Sequence, residues 1–397
     1  MKIYLFDSTK SHENLLPLSY TRPLADFRCG ILTIKEKWER LLKGDCAYYP
    51  VDYLREKFGS VTSPEEEALY IAGNLLPDES LCNFILNLKS GEGLSKNGLP
   101  LIARCTLKQF EEREFNEITF EGTISEIEYV YDIFLKNGEE IKKDFRLVTK
   151  NRTSAPLPPC VRPVCDGKAV ESRANEIFIE EGAVIECVSL NVCEGPIYIG
   201  KNSVLMEGAC LRGPFAICEE SEVRMGARIY EGTTIGPHCK VGGEVSNTIF
   251  FGYSNKSHDG YLGNAVIGEW CNIGAGVNAS NLKNDYSLIR LWNYATHSFM
   301  RTDLQFCGLI MGDHSKIGVN CMINTATVVG VGVNIHGAGF PRTFIPCFSE
   351  GSPGSGFSQV PLKKFMETAE RVMSRRNIKP SEKDKELLKT IYDNNTR

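Results

Sequence analysis

One short stretch of this chain gathers residues suited to proton transfer. In FFGYSNKSHDGYLGNAVIG, residues 250–268, Asn255, Lys256, His258, Asp259 and Tyr261 crowd together. An imidazole titrating near its ordinary pKa of about 6.5 accepts a proton at neutral pH, which makes His258 a candidate general base. A second polar stretch, NIGAGVNASNLKNDYS, residues 272–287, supplies Asn272, Asn278, Asn281, Lys283 and Asn284. Side-chain amides of this kind can satisfy the hydroxyls of a sugar. The alternative for both stretches is a polar surface corner without chemistry. His238 and His314 face the same two readings, as a direct role or as packing.

The elements that must position these residues are announced by glycine. Of 36 glycines, nine fall in residues 1–165, twenty-five in 195–356 and none beyond 356. Within the glycine-rich block apolar residues recur every six positions: Ile199, Leu205, Leu211, Ile217, Val223, Ile229, Ile235 and Val241. The phase slips after Val241, resumes through Tyr261, Ile267 and Ile273, and returns from Met311 to Ile335. A step of six fits neither a helix nor a long alternating strand. It fits short strands on three flat faces, with one apolar residue per face pointing inward and glycine easing the corners. Residues 199–335 then hold about seven coils once an inserted loop near 279–305 is set aside. The predicted interior is a ladder of Ile, Val and Leu too narrow for a substrate. Chemistry therefore belongs on an outer face, at the insert or between chains.

Residues 1–165 read as an α/β domain, with strands in KIYLFD and ALYIAG and helices in ILTIKEKWERLL and SLCNFILNL. The proline-rich PLPPCVRP, ending at Pro163, marks the boundary, and the β-helix is expected over 176–350. A glycine-free helical tail over 358–392, divided at Pro380, is expected to cap the stack or pack between chains. Fifteen cysteines without a CxxC pair predict free thiols and no zinc site. The 45 basic and 50 acidic residues give a net charge of −5 and no reason to expect nucleic acid or an anionic membrane as partner. No apolar run is long enough to span a bilayer, and the start does not read as a signal peptide. The expected compartment is the cytoplasm.

The phrases SNKSHDGYLGNAVIGEWCNIGAG and ASNLKNDY resemble the left-handed β-helix acyltransferases. They are most similar to the acetyltransferase half of bifunctional UDP-N-acetylglucosamine pyrophosphorylase/glucosamine-1-phosphate acetyltransferase. Together with NLLPLSYTRP, GPIYIG and GLIMGDHSKIG they are similar to a variant of that family from Bacteroidetes-type bacteria. The resemblance implies the left-handed coil. It also implies acetyl-CoA as acetyl donor, His258 as the base that deprotonates a sugar amine, and Tyr261 as a contact to the sugar phosphate. Arg228 takes the place of a phosphate- or uridyl-pairing arginine, and Asn272 and Asn281 that of asparagines near sugar and thioester. Apart from the resemblance, attack on a thioester needs a donor to the developing oxyanion, and a backbone N–H around Gly274 or Gly276 is the candidate. Ser246 stands where the family has a phosphate-side lysine and Leu282 where it has a tyrosine, so either Lys256 or Lys283 replaces the missing charge or the sugar is a different one; Asp259 is a further candidate substrate contact. A parallel homotrimer with sites between neighbours is implied as well.

The first domain resembles the sugar-nucleotide pyrophosphorylases in reduced form. DSTKSHENLLPLSYTRP has no glycine where that family has a phosphate-cradling loop, Leu24 replaces a lysine, and Asn74 stands where an aspartate binds Mg²⁺. Arg22, Asp7 and Asn74 are the candidate nucleotide contacts, and Mg²⁺ is expected only if this domain is active. No other metal is expected. The leading expectation is acetyl transfer to a phosphorylated or nucleotide-linked amino sugar in cell-envelope precursor synthesis. Two alternatives stay open. One is a bifunctional enzyme that also transfers a uridylyl or thymidylyl group, and the other is a non-catalytic sugar-nucleotide sensor or scaffold.

Overall fold

The computed structural model describes residues 1–161, 163–165, 168–169 and 175–395. The first domain is built on a six-stranded mixed sheet. Strand β1 (Lys2–Phe6) lies between β2 (Cys46–Tyr49) and β3 (Ala68–Ala72), parallel to both. Beyond β3 the sheet continues antiparallel through Leu99–Cys105 and Glu92–Lys96. The chain leaves β1 toward one side and β3 toward the other, which opens a crevice at their carboxyl ends. The expected helix begins at Ile34, where Thr33 and Glu36 form a reciprocal capping box, and buries Ile34 and Trp38. Of the expected helix or hairpin over 120–148, the structure forms the helix Asp132–Thr149.

The glycine-rich block is a parallel β-helix of three sheets, as the period of six predicts. Ile199 pairs with Ile217, Leu205 with Val223 and Leu211 with Ile229, so each hexad residue stacks on its counterpart one coil on. All eight residues of the first hexad run are buried. The faces are named here in chain order, the first holding Ile197–Ile199, the second Val204–Leu205 and the third Cys210–Arg212.

Two expectations fail where the phase slips. The inward residue after the slip is Leu262, paired with Val245, and Tyr261 points outward. Tyr261 lies six before Ile267, but the step from the third face to the first is five there, from Leu262 to Ile267, and the coil before it is shortened as well. Between Val241 and Val245 the turn from second to third face is the tight pair Gly242–Gly243, with Gly243 at φ +74°. One coil later the same turn runs from Lys256 to Leu262 and protrudes. Lys256 itself pairs with Val241 at an inward position, so the interior ladder is not purely aliphatic.

The first domain is not held at the end of a linker. It packs against the first face, and one apolar core runs from Leu5, Phe27 and Trp38 into Ile249, Phe251, Val266 and Val328 of the β-helix. Buried polar groups fix the registration. Asn137 donates to Gly232 O at 2.7 Å and accepts from Gly30 N at 2.6 Å. Within the first domain, Lys37 pairs with Glu140 at 2.8 Å and Asp144 at 2.6 Å and so ties the helix that carries Asn137 to its neighbour. The expected boundary falls partly on Arg162 and residues 166–167 and 170–174, which lie outside the described residues. The insert forms an antiparallel hairpin, Arg290–Asn293 with Ser298–Arg301. It turns toward the first domain, where Tyr294 meets Tyr20 edge-on at 5.7 Å.

The tail forms two helices, Leu362–Ser374 and Glu382–Asn395. They bridge both parts of the chain. Phe365 packs edge-on to Phe348 at 5.0 Å, Arg376 donates to Asn255 at 2.9 Å, and Tyr20 donates to Asn395 at 2.7 Å. Among the described residues no helix is long and apolar enough to cross a membrane. The expectation of free thiols throughout fails at Cys165 and Cys193, which form a disulfide between the strand Pro163–Cys165 and the end of the first coil.

Candidate active site on the β-helix edge

The protruding corner after Lys256 presents His258 and Asp259 to solvent, and the His258 ring makes no hydrogen bond to another described residue. Directly above lies the corner of the next coil, Gly274–Gly276, joined to it by Gly276 N donating to Asp259 O at 2.9 Å. On the third face, beside the corner, Asn281 donates to Tyr261 Oη at 2.9 Å and to Asn264 Oδ1 at 2.7 Å. Asn278 accepts from Tyr261 N at 2.9 Å. Burial raises the Tyr261 phenol above its ordinary range, so it stays a neutral donor. Arg228 lies lower on the same face, 3.4 Å from Glu244, which in turn registers with Tyr261. Asn272 is exposed on the second face, on the other side of the edge. The edge therefore brings His258, Asp259, Tyr261, Asn272 and Asn281 around one corner, with Arg228 further along.

Four expected contacts stand differently. Lys256 is 1% exposed, so it is no surface contact for a substrate; its ammonium donates inside the coil to backbone carbonyls. The amides of Gly274 and Gly276 are both committed within the coils, to Ile317 O and Asp259 O. The amide between them, on Ala275, has no acceptor among the described residues, and it is the donor this corner leaves open. Sequence reasoning missed it because glycine drew attention to its neighbours. Lys283 belongs elsewhere: it reaches Ser287 and Leu288 O within the insert and lines a cavity of about 740 Å³ with Ser280, Arg290, Asn324 and Phe340.

His238 and His314 are packing groups. With Tyr253 and Trp270 they occupy positive-φ corners one coil apart, and the four rings stack at 4.7, 4.2 and 6.3 Å. Burial lowers the His314 pKa to about 3, which keeps its ring neutral.

The candidate nucleotide contacts of the first domain are engaged with protein partners, although Asp7 also borders a crevice. Arg22 is 3% exposed and pairs with Asp313 and, at 3.1 Å, with Glu269, both on the β-helix. Asp313 also accepts from Thr21 at 2.7 Å. Asp7 is buried beside His12 and accepts from Leu24 N at 3.1 Å, and burial raises its pKa. Asn74 is buried and donates to Ile127 O at 3.1 Å. A crevice of about 810 Å³ does open beyond β1 and β2, and its polar lining includes Lys10, His12, Arg55 and Arg113. Of these basic groups the sequence reading singled out none. Among the described residues no cluster of three or more His, Cys, Asp or Glu can hold a metal ion. A buried Asp7 with a raised pKa and a neutral Asn74 do not fit Mg²⁺, which needs ionised carboxylate oxygen.

Residues 3–153 match the family model described as sugar nucleotidyl transferase. Over 118 residues the chain is 26% identical to the bifunctional protein GlmU of Gloeobacter violaceus, a match covering 29% of this chain and 22% of that relative's length. The hexapeptide transferase family protein of Anaplasma phagocytophilum is 12% identical, with a TM-score of 0.26 over 59% of this chain and 97% of that one. LpxA of Bacteroides fragilis, a UDP-N-acetylglucosamine acyltransferase, is 14% identical, with a TM-score of 0.22 over 56% and 98%. The chain joins an α/β domain similar to sugar nucleotidyl transferases to a hexapeptide-repeat β-helix.

Proposed function

We propose that the β-helix edge transfers an acetyl group from acetyl-CoA to the amine of a phosphorylated or nucleotide-linked amino sugar. The observation that carries this reading is the protruding corner itself. It sets an exposed imidazole, His258, beside a backbone donor with no acceptor among the described residues, Ala275 N–H, and the hydrogen-bonded set Tyr261, Asn281 and Asn264.

In this mechanism the neutral sugar amine attacks the thioester carbonyl carbon while His258 takes a proton from the nitrogen. The carbonyl oxygen gains charge and is stabilised by the Ala275 amide. Collapse breaks the carbon–sulfur bond, and the departing thiolate takes the proton from the imidazolium. Tyr261, Asn272 and Asn281 orient the sugar, and Arg228 meets its phosphate in competition with Glu244. Asp259 adds a polar group at the mouth. The CoA chain runs along the outer coils toward the cavity with Lys283 and Arg290. A homotrimer, a cytoplasmic location and a place in cell-envelope sugar-nucleotide supply belong to the same proposal.

The test is release of free thiol from acetyl-CoA by the full-length chain with a panel of amino sugars, with and without 1-phosphate or UDP. Turnover with one phosphorylated amino sugar well above the bare sugars supports the reading. No thiol release with any acceptor would sink it and favour a binding or scaffold role.

A second reading, nucleotidyl transfer by the first domain, is favoured by the family match over residues 3–153 and by the crevice with Lys10, Arg55 and Arg113. Pyrophosphate release by the full-length chain from UTP or dTTP with a sugar 1-phosphate would establish it. Silence with every nucleotide would exclude it, and the poor fit of Asp7 and Asn74 to Mg²⁺ leads us to expect silence.

A further inference from the structure

Along the second face, Leu205, Val223, Val241, Ile273, Ile317 and Ile335 point inward, and Lys256 is the one charged member of that ladder among the described residues. Burying an ammonium among aliphatic side chains is costly unless it finds acceptors. Lys256 finds them in two consecutive corners. Nζ lies 3.2 Å from the carbonyl of Gly242, in the shortened turn, and 2.7 Å from the carbonyl of His258, in the protruding one. The room for this contact comes from Gly243, where an added Cβ would fall 2.9 Å from Lys256 Nζ and 2.7 Å from His258 O.

A general base is ordinarily held in direction by a second side chain bonded to its other ring nitrogen. No described side chain does this for His258, so its aim depends on its backbone. We infer that Lys256 is the positioning residue of the acetyl-transfer site: anchored inside the coil, its amine holds the His258 carbonyl and fixes the direction in which the imidazole leaves the corner. This rests on the reading of His258 as the base. The clamp does not depend on charge, since a neutral amine still has two hydrogens for two carbonyls. The length of lysine is needed because the turn beneath is too short to support the turn above.

The experiment compares Lys256→Met, Lys256→Gln, Gly243→Ala and His258→Ala in the full-length chain. Three quantities are read: thiol-release kcat, KM for acetyl-CoA, and backbone amide exchange over residues 257–261. Lys256→Met should lower kcat roughly tenfold or more with KM within about twofold, since a small misplacement of a reacting group is costly. It should also speed exchange at 257–261 while the coils from Ile199 to Val241 keep their protection. Lys256→Gln keeps a donor and should restore part of kcat. Gly243→Ala should mimic the methionine variant by pushing the clamp apart from outside, and it decides the matter if the methionine variant does not fold. A kcat within about twofold of wild type for Lys256→Met, or equal losses in the methionine and glutamine variants with exchange raised throughout, overturns the positioning role. If His258→Ala keeps its turnover, the acetyl-transfer reading has failed instead, and the two failures are told apart by that one variant.

Discussion

The first domain and the β-helix edge are marked by the same kinds of residue, yet the fold treats them oppositely. In the first domain Arg22, Asp7 and Asn74 are buried and engaged with protein partners. At the edge His258, Asp259 and Asn272 face solvent. The same charge that could bind a phosphate instead joins two parts of the chain. What separates the regions is availability rather than residue type. A polar side chain in an apolar core must find a partner to offset its desolvation, and a side chain on a protruding corner need not.

The strongest way to break this comparison is at Arg22. Replacing it with Met leaves Asp313 buried without its cation, which typically costs about 3–5 kcal/mol. Denaturant unfolding should show a loss of that order. A change below about 1 kcal/mol, the size of an exposed pair, would mean that Arg22 is not a structural tie.

Lys256 sharpens the contrast through pH. Burial depresses its folded pKa to about 8 from an ordinary 10.5, with Asp259 opposing the shift and Arg228 adding to it. The folded state therefore binds this proton less tightly than the unfolded chain does. Relative to Lys256→Met, wild-type stability should be fullest above about pH 10.5 and fall as the pH drops through 8, a change of up to about 3 kcal/mol. A difference in unfolding free energy that is flat across that window would contradict this.

His314 gives a smaller test of the stacked corner. Its folded pKa of about 3 lies below the ordinary 6.5, so its contribution is present above pH 6.5 and lost as the pH falls toward 3. His314→Phe keeps a ring without a proton to gain, and should shift the acid unfolding midpoint to lower pH. An unchanged midpoint would remove His314 from the account. The smallest effect is expected at Arg228, whose exposed pair with Glu244 is weak. Arg228→Lys should raise KM for a phosphorylated acceptor a few-fold through loss of bidentate pairing, with kcat retained. An unaltered KM would move the phosphate elsewhere.

The three-faced helix is legible because each face carries one inward apolar residue, so a step of six survives in the sequence. A ladder such as the one from Ile199 to Val241 can be read this way only while the step holds. After Val241 the Gly242–Gly243 turn shortens one step, and the step from Leu262 to Ile267 is five, so that counting back in sixes from Ile267 lands on Tyr261 while the inward residue is Leu262. The polar stretch around His258 is visible as a break in that step. The role of Lys256 is not, because a lysine at an inward position contradicts the pattern used to find inward positions. The docking of the first domain is also invisible. Arg22 and Asp313 are 291 residues apart, and nothing local in PLSYTRP announces a partner so distant. The insert reads wholly as a site loop in the sequence, but Ile289 and Leu291 anchor its hairpin in the core shared with the first domain while residues 284–288 stay exposed.

The central claim is that chemistry happens at the β-helix edge through His258. Its most direct test is the steady-state rate of thiol release by full-length His258→Ala beside wild type, with the acceptor that the panel identifies. Loss of a general base predicts a fall of about 10²–10⁴-fold in kcat with the fold intact by circular dichroism and unfolding. A variant that turns over at the wild-type rate would contradict the account.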